Sequence, residues 1–262
     1  MSDSVAVIGL GAMGLGMAQS MRRAGFHVRA CDVRSELAQT FAADGGTACA
    51  TPAEAAAAAD IVVSVVVNAT QTEGVLFGES GAARTMRKGY VFVMCSTVDP
   101  DWSIALEQRL ADLGILYLDA PISGGAAKAA AGTMTMMTAG RPEAYAKAGR
   151  VLDAMAANVY RLGDCAGNGS KVKIINQLLA GVHIAAAAEA MPIPHPTANE
   201  PQLGAAVTLP AVRAGGRGAT RRGRRGAAQV AGVGQAVGVQ WVVARGGRLV
   251  LKFRHDREHL RR

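Results

Sequence analysis

The chain is poor in cysteine, in aromatic residues and in uninterrupted apolar runs. Its four cysteines, Cys31, Cys49, Cys95 and Cys165, show no metal-ligand or redox-motif spacing, so they read as small buried hydrophobes of a reducing compartment. No stretch approaches the roughly 20 apolar residues that a membrane-spanning helix needs. The N-terminus starts polar at Asp3 and passes straight into a strand and a glycine turn. No signal peptide is therefore expected, and the cytoplasm is the expected location. Lysine is nearly missing from one end: residues 192–262 hold only Lys252 among 13 basic residues, with 3 acidic ones. The other 15 of 28 basic and 17 of 20 acidic residues lie in 1–191, so the net charge of +8 belongs to the tail. Its arginine bias fits translated GC-rich DNA better than a nucleic-acid surface, which usually mixes both cations.

Half of the 262 residues are hydrophobic, enough for a sizeable core. Up to residue 191, strand and helix patterns alternate. Strands are expected at 5–9, 27–31, 61–67, 90–95, 115–119 and 133–138, and helices at 13–24, 35–43, 52–59, 100–113, 141–155 and 170–191. Residues 61–67 are six Val/Ile around Ser64, which suits a strand buried on both faces of a parallel sheet. Thr51-Pro52-Ala53-Glu54 reads as a capping box with proline at the first helical position. The rhythm implies a doubly wound α/β sheet.

Gly9-Leu10-Gly11-Ala12-Met13-Gly14 is GxGxxG, following a strand and opening a helix. Gly9 makes the tight turn, Gly11 lets a pyrophosphate approach the backbone, and Gly14 lets the helix pack on the strand. The helix N-terminus offers free N–H groups and a positive dipole to phosphates. Asp32 follows Gly14 by 18 residues, near the spacing of about 20 expected for a ribose-binding acid. A carboxylate there repels a 2′-phosphate and favours NAD, while Arg34 keeps NADP open. Gly16 reads as helix packing. These features predict a Rossmann-type dinucleotide-binding domain.

Two further motifs follow. Asp119-Ala120-Pro121-Ile122-Ser123-Gly124-Gly125 ends a strand of the sheet, where ligand crevices open. Ser123 and the N–H groups of Gly124 and Gly125 suit a carboxylate, although Ser-Gly-Gly taken alone is a turn. In residues 167–177, GNGSKVKIINQ, Lys173 shares a helix face with Asn176 and Gln177, whereas Lys171 reads as a solvated surface charge.

Together these motifs resemble the β-hydroxyacid dehydrogenase family, which includes 3-hydroxyisobutyrate dehydrogenase. The family pattern of GLGxMG, DAPVSGG and GxGxxxKxxN stands here as Gly9–Gly14, Asp119–Gly125 with Ile122 for Val, and Gly167–Asn176. The likeness covers residues 1–191, and residues 173–191 are similar to the L-threonate dehydrogenase branch. The resemblance implies NAD-dependent oxidation of a small hydroxy acid, L-threonate-like or 3-hydroxyisobutyrate-like. Lys173 would be the general acid/base, its pKa lowered by burial. Ser123, Gly124, Gly125, Asn176 and Gln177 would bind substrate, with Gln177 replacing a family asparagine. Gly9 to Gly14, Asp32 and Thr97 would bind NAD. Val67 and Asn68, which replace a Leu-Pro of the family, are further candidates for that contact. The implied organisation is a Rossmann domain over 1–166, then the start of a long interdomain helix over 167–191.

After Met191 the pattern breaks at Pro192, Pro194, Pro196, Pro201 and Pro210, and a glycine–arginine stretch without periodicity follows. The family's all-α C-terminal domain is expected here, with its dimer surface and a Lys-Asp pair; instead Lys252 precedes Phe253. Residues 192–262 are therefore expected to be an aberrant, disordered tail, the family domain missing or frameshifted. Reading the gene one base out of step after codon 191 should then restore a helical domain. Three readings stand: a working dehydrogenase, a cofactor-binding fragment without catalysis, and a nucleic-acid binder through Arg213–Arg225, which lacks interleaved aromatics.

Overall fold

The computed structural model describes residues 4–190, 239–243 and 249–253. The chain forms two compact units, Met1–Ile175 and Asn176–Arg262.

The first unit is built on strands β1 (Ser4–Ile8), β2 (His27–Cys31), β3 (Thr47–Ala48), β4 (Ile61–Ser64), β5 (Val91–Met94) and β6 (Leu116–Asp119). They form one sheet in the order β3-β2-β1-β4-β5-β6, and every pairing is parallel. The order reverses between β1 and β4, the switch point beyond whose strand carboxyl ends such sheets place their ligands. Helices α1 (Gly14–Arg23), α2 (Ser35–Ala43), α3 (Pro52–Ala56), α4 (Ala69–Phe77) and α5 (Pro100–Asp112) connect them. One core layer joins Val5, Val7, Met17, Met21 and Phe41; the other joins Ala6, Ile8, Val62, Leu76, Phe92 and Leu106. The sheet is thus covered on both faces, which is why β4 and β5 are buried at every residue.

Local chemistry sets the helix starts. Thr51 Oγ1 accepts from the Glu54 N–H at 3.1 Å, and Pro52 occupies the first turn. The Glu54 carboxylate reaches the N–H of Ala50, one residue before the cap, at 2.7 Å. Asp99 Oδ1 caps α5 through the N–H groups of Asp101 and Trp102.

A smaller sheet follows, with β7 (Ile122–Ser123), α6 (Gly125–Ala131), β8 (Met134–Thr138), α7 (Pro142–Met155) and β9 (Ala156–Arg161). β7 runs antiparallel to β8 and β9 parallel to it. Gly16 packs α1 on α6: a Cβ there would lie 2.6 Å from Ala130 N and 3.0 Å from the Ala129 carbonyl carbon.

Several elements depart from expectation. β4 stops at Ser64 instead of running to 67. Val65 N makes a last ladder bond to Ile8 O, after which Val66 and Val67 leave the sheet as a loop. Helix α4 is unanticipated because its apolar residues lack a clear stripe. The two-residue strands β3 and β7, the six-residue β9 and the alanine-rich α6 are also additions. Cys31, Cys49 and Cys95 are buried as expected, but Cys165 is exposed in the turn before the last helix.

That helix, α8 (Asn168–Ala190), starts in the first unit and continues into the second. The second unit also contains β10 (Val239–Val243) and β11 (Leu249–Phe253), paired antiparallel. The expected disorder of 192–262 falls outside the described residues except at these two strands. There the β-branched and aromatic runs VQWVV and LVLKF adopt the structure their composition favours.

Candidate active site

The glycine turn lies at the carboxyl end of β1. Gly9 has φ +97°, which favours glycine, and its N–H reaches Cys31 O at 2.9 Å. A Cβ on Gly14 would collide with Gly9 O, so the start of α1 presses directly on the turn. A Cβ on Gly11 would meet nothing within 4 Å. Among the described residues, the N–H groups of Gly11, Ala12 and Met13 have no acceptor. An open approach to unpaired donors at a helix N-terminus fits a pyrophosphate.

Asp32 is already built into this turn. Its Oδ2 accepts from the Leu10 N–H at 2.6 Å, and its Oδ1 from the Arg34 N–H at 2.9 Å. Leu10 itself is buried. Arg34 Nε stands 3.5 Å from Asp32 Oδ1, so the cation leans on the acid. Across the switch point, Asn68 Oδ1 caps α4 through the Gln71 N–H at 2.9 Å. The Val67 N–H is taken by Gln71 Oε1 at 2.8 Å. Both residues thus have local structural partners, and the Asn68 oxygen is committed to the cap. Thr97 is half-buried after β5, behind Ser96, whose hydroxyl donates to Val66 O at 2.8 Å and lies 3.2 Å from Thr72 Oγ1.

The second motif follows β6. Ser123 is half-buried at the end of β7, and Gly124 (φ +143°) and Gly125 (φ +74°) turn the chain into α6. Asp119, wholly buried, joins this segment to the third motif. Its Oδ2 accepts from the N–H groups of Gly167 and Ser170, each at 2.9 Å, and its Oδ1 accepts from Ser170 Oγ at 2.7 Å. Burial pushes its carboxyl pKa up, against the pull of these bonds. One residue before Gly167, the Ala166 N–H donates to Glu107 Oε2 at 3.1 Å. Two remote acids therefore hold the entry to α8.

Lys173 belongs to the inward face of that entry. Gly169, Ser170 and Lys173 are buried, whereas Lys171, Val172 and Ile174 are exposed. Lys173 is 5 % exposed, and burial alone lowers its pKa from 10.5 to about 8. No described residue hydrogen-bonds its ammonium. Asn176, exposed, and Gln177, half-buried, lie one turn on along α8, in the second unit. Sequence reasoning grouped Lys173 with these two, but its burial comes with Gly169 and Ser170, in the preceding turn. The roles of Asp119, Ser170 and Glu107 were missed, because their partners are 48 to 59 residues away and no local pattern marks them. Among the described residues, no His/Cys/Asp/Glu cluster could hold a metal and no helix is long and apolar enough to cross a membrane.

Comparison with known proteins agrees with this geometry. Residues 4–163 match the family described as the NAD binding domain of 6-phosphogluconate dehydrogenase. The L-threonate dehydrogenase of Cupriavidus necator is 61 % identical over 191 residues, which are 73 % of this chain and 64 % of that protein. The mitochondrial 3-hydroxyisobutyrate dehydrogenase of Mus musculus is 31 % identical over 199 residues, 76 % of this chain and 59 % of that protein. The chain thus spans less than two thirds of the length of these relatives. A crystal structure of 3-hydroxyisobutyrate dehydrogenase from Salmonella typhimurium superposes with a TM-score of 0.69 at 46 % identity, covering 72 % of this chain and 66 % of that one. The chain belongs to the family described as the NAD binding domain of 6-phosphogluconate dehydrogenase, and over 191 to 199 residues it is similar to L-threonate and 3-hydroxyisobutyrate dehydrogenases.

Proposed function

We propose that this protein oxidises the hydroxyl of a small hydroxy acid, L-threonate-like or 3-hydroxyisobutyrate-like, with Lys173 as general acid/base. The observation that carries this reading is the burial of Lys173, which brings its pKa to about 8. A lysine so placed can accept and return a proton near neutral pH. The relatives' names, L-threonate dehydrogenase and 3-hydroxyisobutyrate dehydrogenase, supply the substrate class.

The Gly11, Ala12 and Met13 amides would hold the cofactor's pyrophosphate and Asp32 its ribose, with Thr97, Val67 and Asn68 beside the nicotinamide half. Bound there, NAD supplies the hydride acceptor. Asp32 disfavours a 2′-phosphate, and Arg34 leans on Asp32 instead of standing clear to receive one, which supports NAD over NADP. Ser123 and the amides of Gly124 and Gly125 bind the substrate carboxylate, and Asn176 and Gln177 hold the rest. Lys173 Nζ, uncharged, takes the hydroxyl proton during oxidation and returns it during reduction. In this reading 1–166 is the cofactor domain, 167–191 leads out of it, 192–262 is a separate tail, and the enzyme works in the cytoplasm.

A second reading, cofactor binding without turnover, is favoured by the apolar side chains that α8 leaves exposed: Ile175 at 57 %, Leu178 at 66 % and Val182 at 54 %. Thermal shift with NAD, beside turnover of L-threonate and 3-hydroxyisobutyrate, separates the two. Stabilisation with turnover supports the enzyme, and stabilisation without turnover supports the fragment. Absence of both overturns the dinucleotide reading.

A further inference from the structure

We propose that Asp119 is a positioning residue for Lys173: its carboxylate fastens the first turn of α8 to the end of β6 and thereby holds the lysine inward. The inference rests on reading Lys173 as the acid/base.

The fastening is specific. Asp119 spends both oxygens on α8, through the Gly167 and Ser170 N–H groups and the Ser170 hydroxyl. Gly169 brings the helix to minimum distance, since a Cβ there would lie 2.6 Å from Met137 O and 2.7 Å from Asp119 O. Ser170 and Lys173 are three residues apart on the same face. Helical side chains tilt toward the N-terminus, so the lysine stem lies back over the turn that Asp119 holds. With no described residue hydrogen-bonded to the ammonium, its inward pose depends on the path of the helix. Asp119 also begins the segment that carries Ser123, so one carboxylate sets the lysine against the carboxylate-binding loop.

Around Asp119 stand Tyr117 on its own strand, on which Glu107 and Cys95 also act, and Tyr145 on α7, on which Arg161 and Asp164 also act. Both tyrosine hydroxyls are pushed up and stay neutral. Ser103 on α5, whose hydroxyl lies 2.9 Å from the Tyr117 hydroxyl, also draws the Asp119 carboxyl pKa down. None of these groups acts on Lys173, whose shift has burial as its cause. Releasing the turn should therefore let the ammonium reach water and return its pKa from about 8 toward 10.5.

The test is Asp119→Asn in the full chain, with Ser170→Ala as the milder variant. The pH profile of oxidation should move upward, each pH unit lowering the neutral lysine fraction tenfold below its pKa, and turnover should recover at high pH. NAD affinity should be unchanged. A profile that keeps its midpoint while kcat falls at every pH makes Asp119 merely structural and overturns the proposal. A second measurement needs no turnover: Lys173→Met is made in the wild-type and Asp119→Asn backgrounds, and urea unfolding is followed near neutral pH. The stability gained on losing the buried ammonium should vanish in the Asp119→Asn background. An undiminished gain overturns the proposal even in an inactive protein, whereas a vanished gain without turnover removes only the dehydrogenase reading. Should Asp119→Asn fail to fold, Ser170→Ala decides: a reduced gain supports the positioning role and an unchanged one refutes it.

Discussion

Replacing Lys173 with methionine should make the protein more stable, and the gain should depend on pH. The lysine's pKa falls from 10.5 in the unfolded chain to about 8 in the folded one. At about 1.4 kcal/mol per pH unit, holding the charged ammonium in its site costs about 3 kcal/mol. Below about pH 8 both states bind the proton, so the folded protein bears the full cost. Between that point and about 10.5 the unfolded chain keeps the proton that the folded one has lost, and wild-type stability rises with pH. Above this window the cost is gone. Lys173→Met, which keeps the aliphatic volume and removes the charge, should exceed wild type by up to about 3 kcal/mol near pH 7 and by little near pH 10.5. Urea unfolding across that range measures the gap. A gap that stays constant with pH, or a variant less stable than wild type near pH 7, would show that the ammonium is solvated or paired and would remove the basis for a lowered pKa.

The same lysine predicts that the oxidation rate rises with pH to a plateau above about 8, while the reverse reduction falls over the same span; a flat profile in steady-state kinetics contradicts this. Gly11→Val should leave the melting temperature unchanged, since a Cβ there meets nothing within 4 Å, yet weaken NAD binding at least tenfold by titration, about 1.4 kcal/mol. Ser123→Ala should raise the substrate KM roughly tenfold or more, with the NAD dissociation constant unmoved, as expected for loss of a hydrogen bond to a carboxylate. Gly16→Leu should destabilise the fold by about 1–3 kcal/mol in denaturant, because the side chain has nowhere to go against α6.

Much of the first unit could be read from the sequence because its signals are local. A glycine turn, an apolar strand and a proline-led helix each announce themselves within a few residues, so the sheet and the tight turn at Gly9 were anticipated. Helix α4 was not, since its apolar residues form no clear stripe and its start depends on Asn68 as a cap. The length of β4 was overestimated, because Val66 and Val67 have strand composition but no neighbour beyond Ile8 to pair with. At the site, the burial needed by Lys173 was expected, but its neighbours were not. Which turn of α8 goes inward is decided by Asp119, Met137 and Glu107, distant in sequence, and spacing along the helix cannot report them.

The contact between α1 and α6 also constrains how this protein can change over generations. α6 is almost wholly alanine, so its backbone lies against Gly16, and Gly132, just past its end, lies against the Ser20 hydroxyl. Ser20 in turn donates to Ala154 O at 2.7 Å, and Arg23 to Ala130 O. A larger residue on either helix must wait for a compensating change on the other. The cofactor helix and the helix behind the Ser-Gly-Gly loop should therefore drift as a pair: a library randomised at position 16 alone should return glycine, and one randomised at 16 together with 126–130 should return linked solutions.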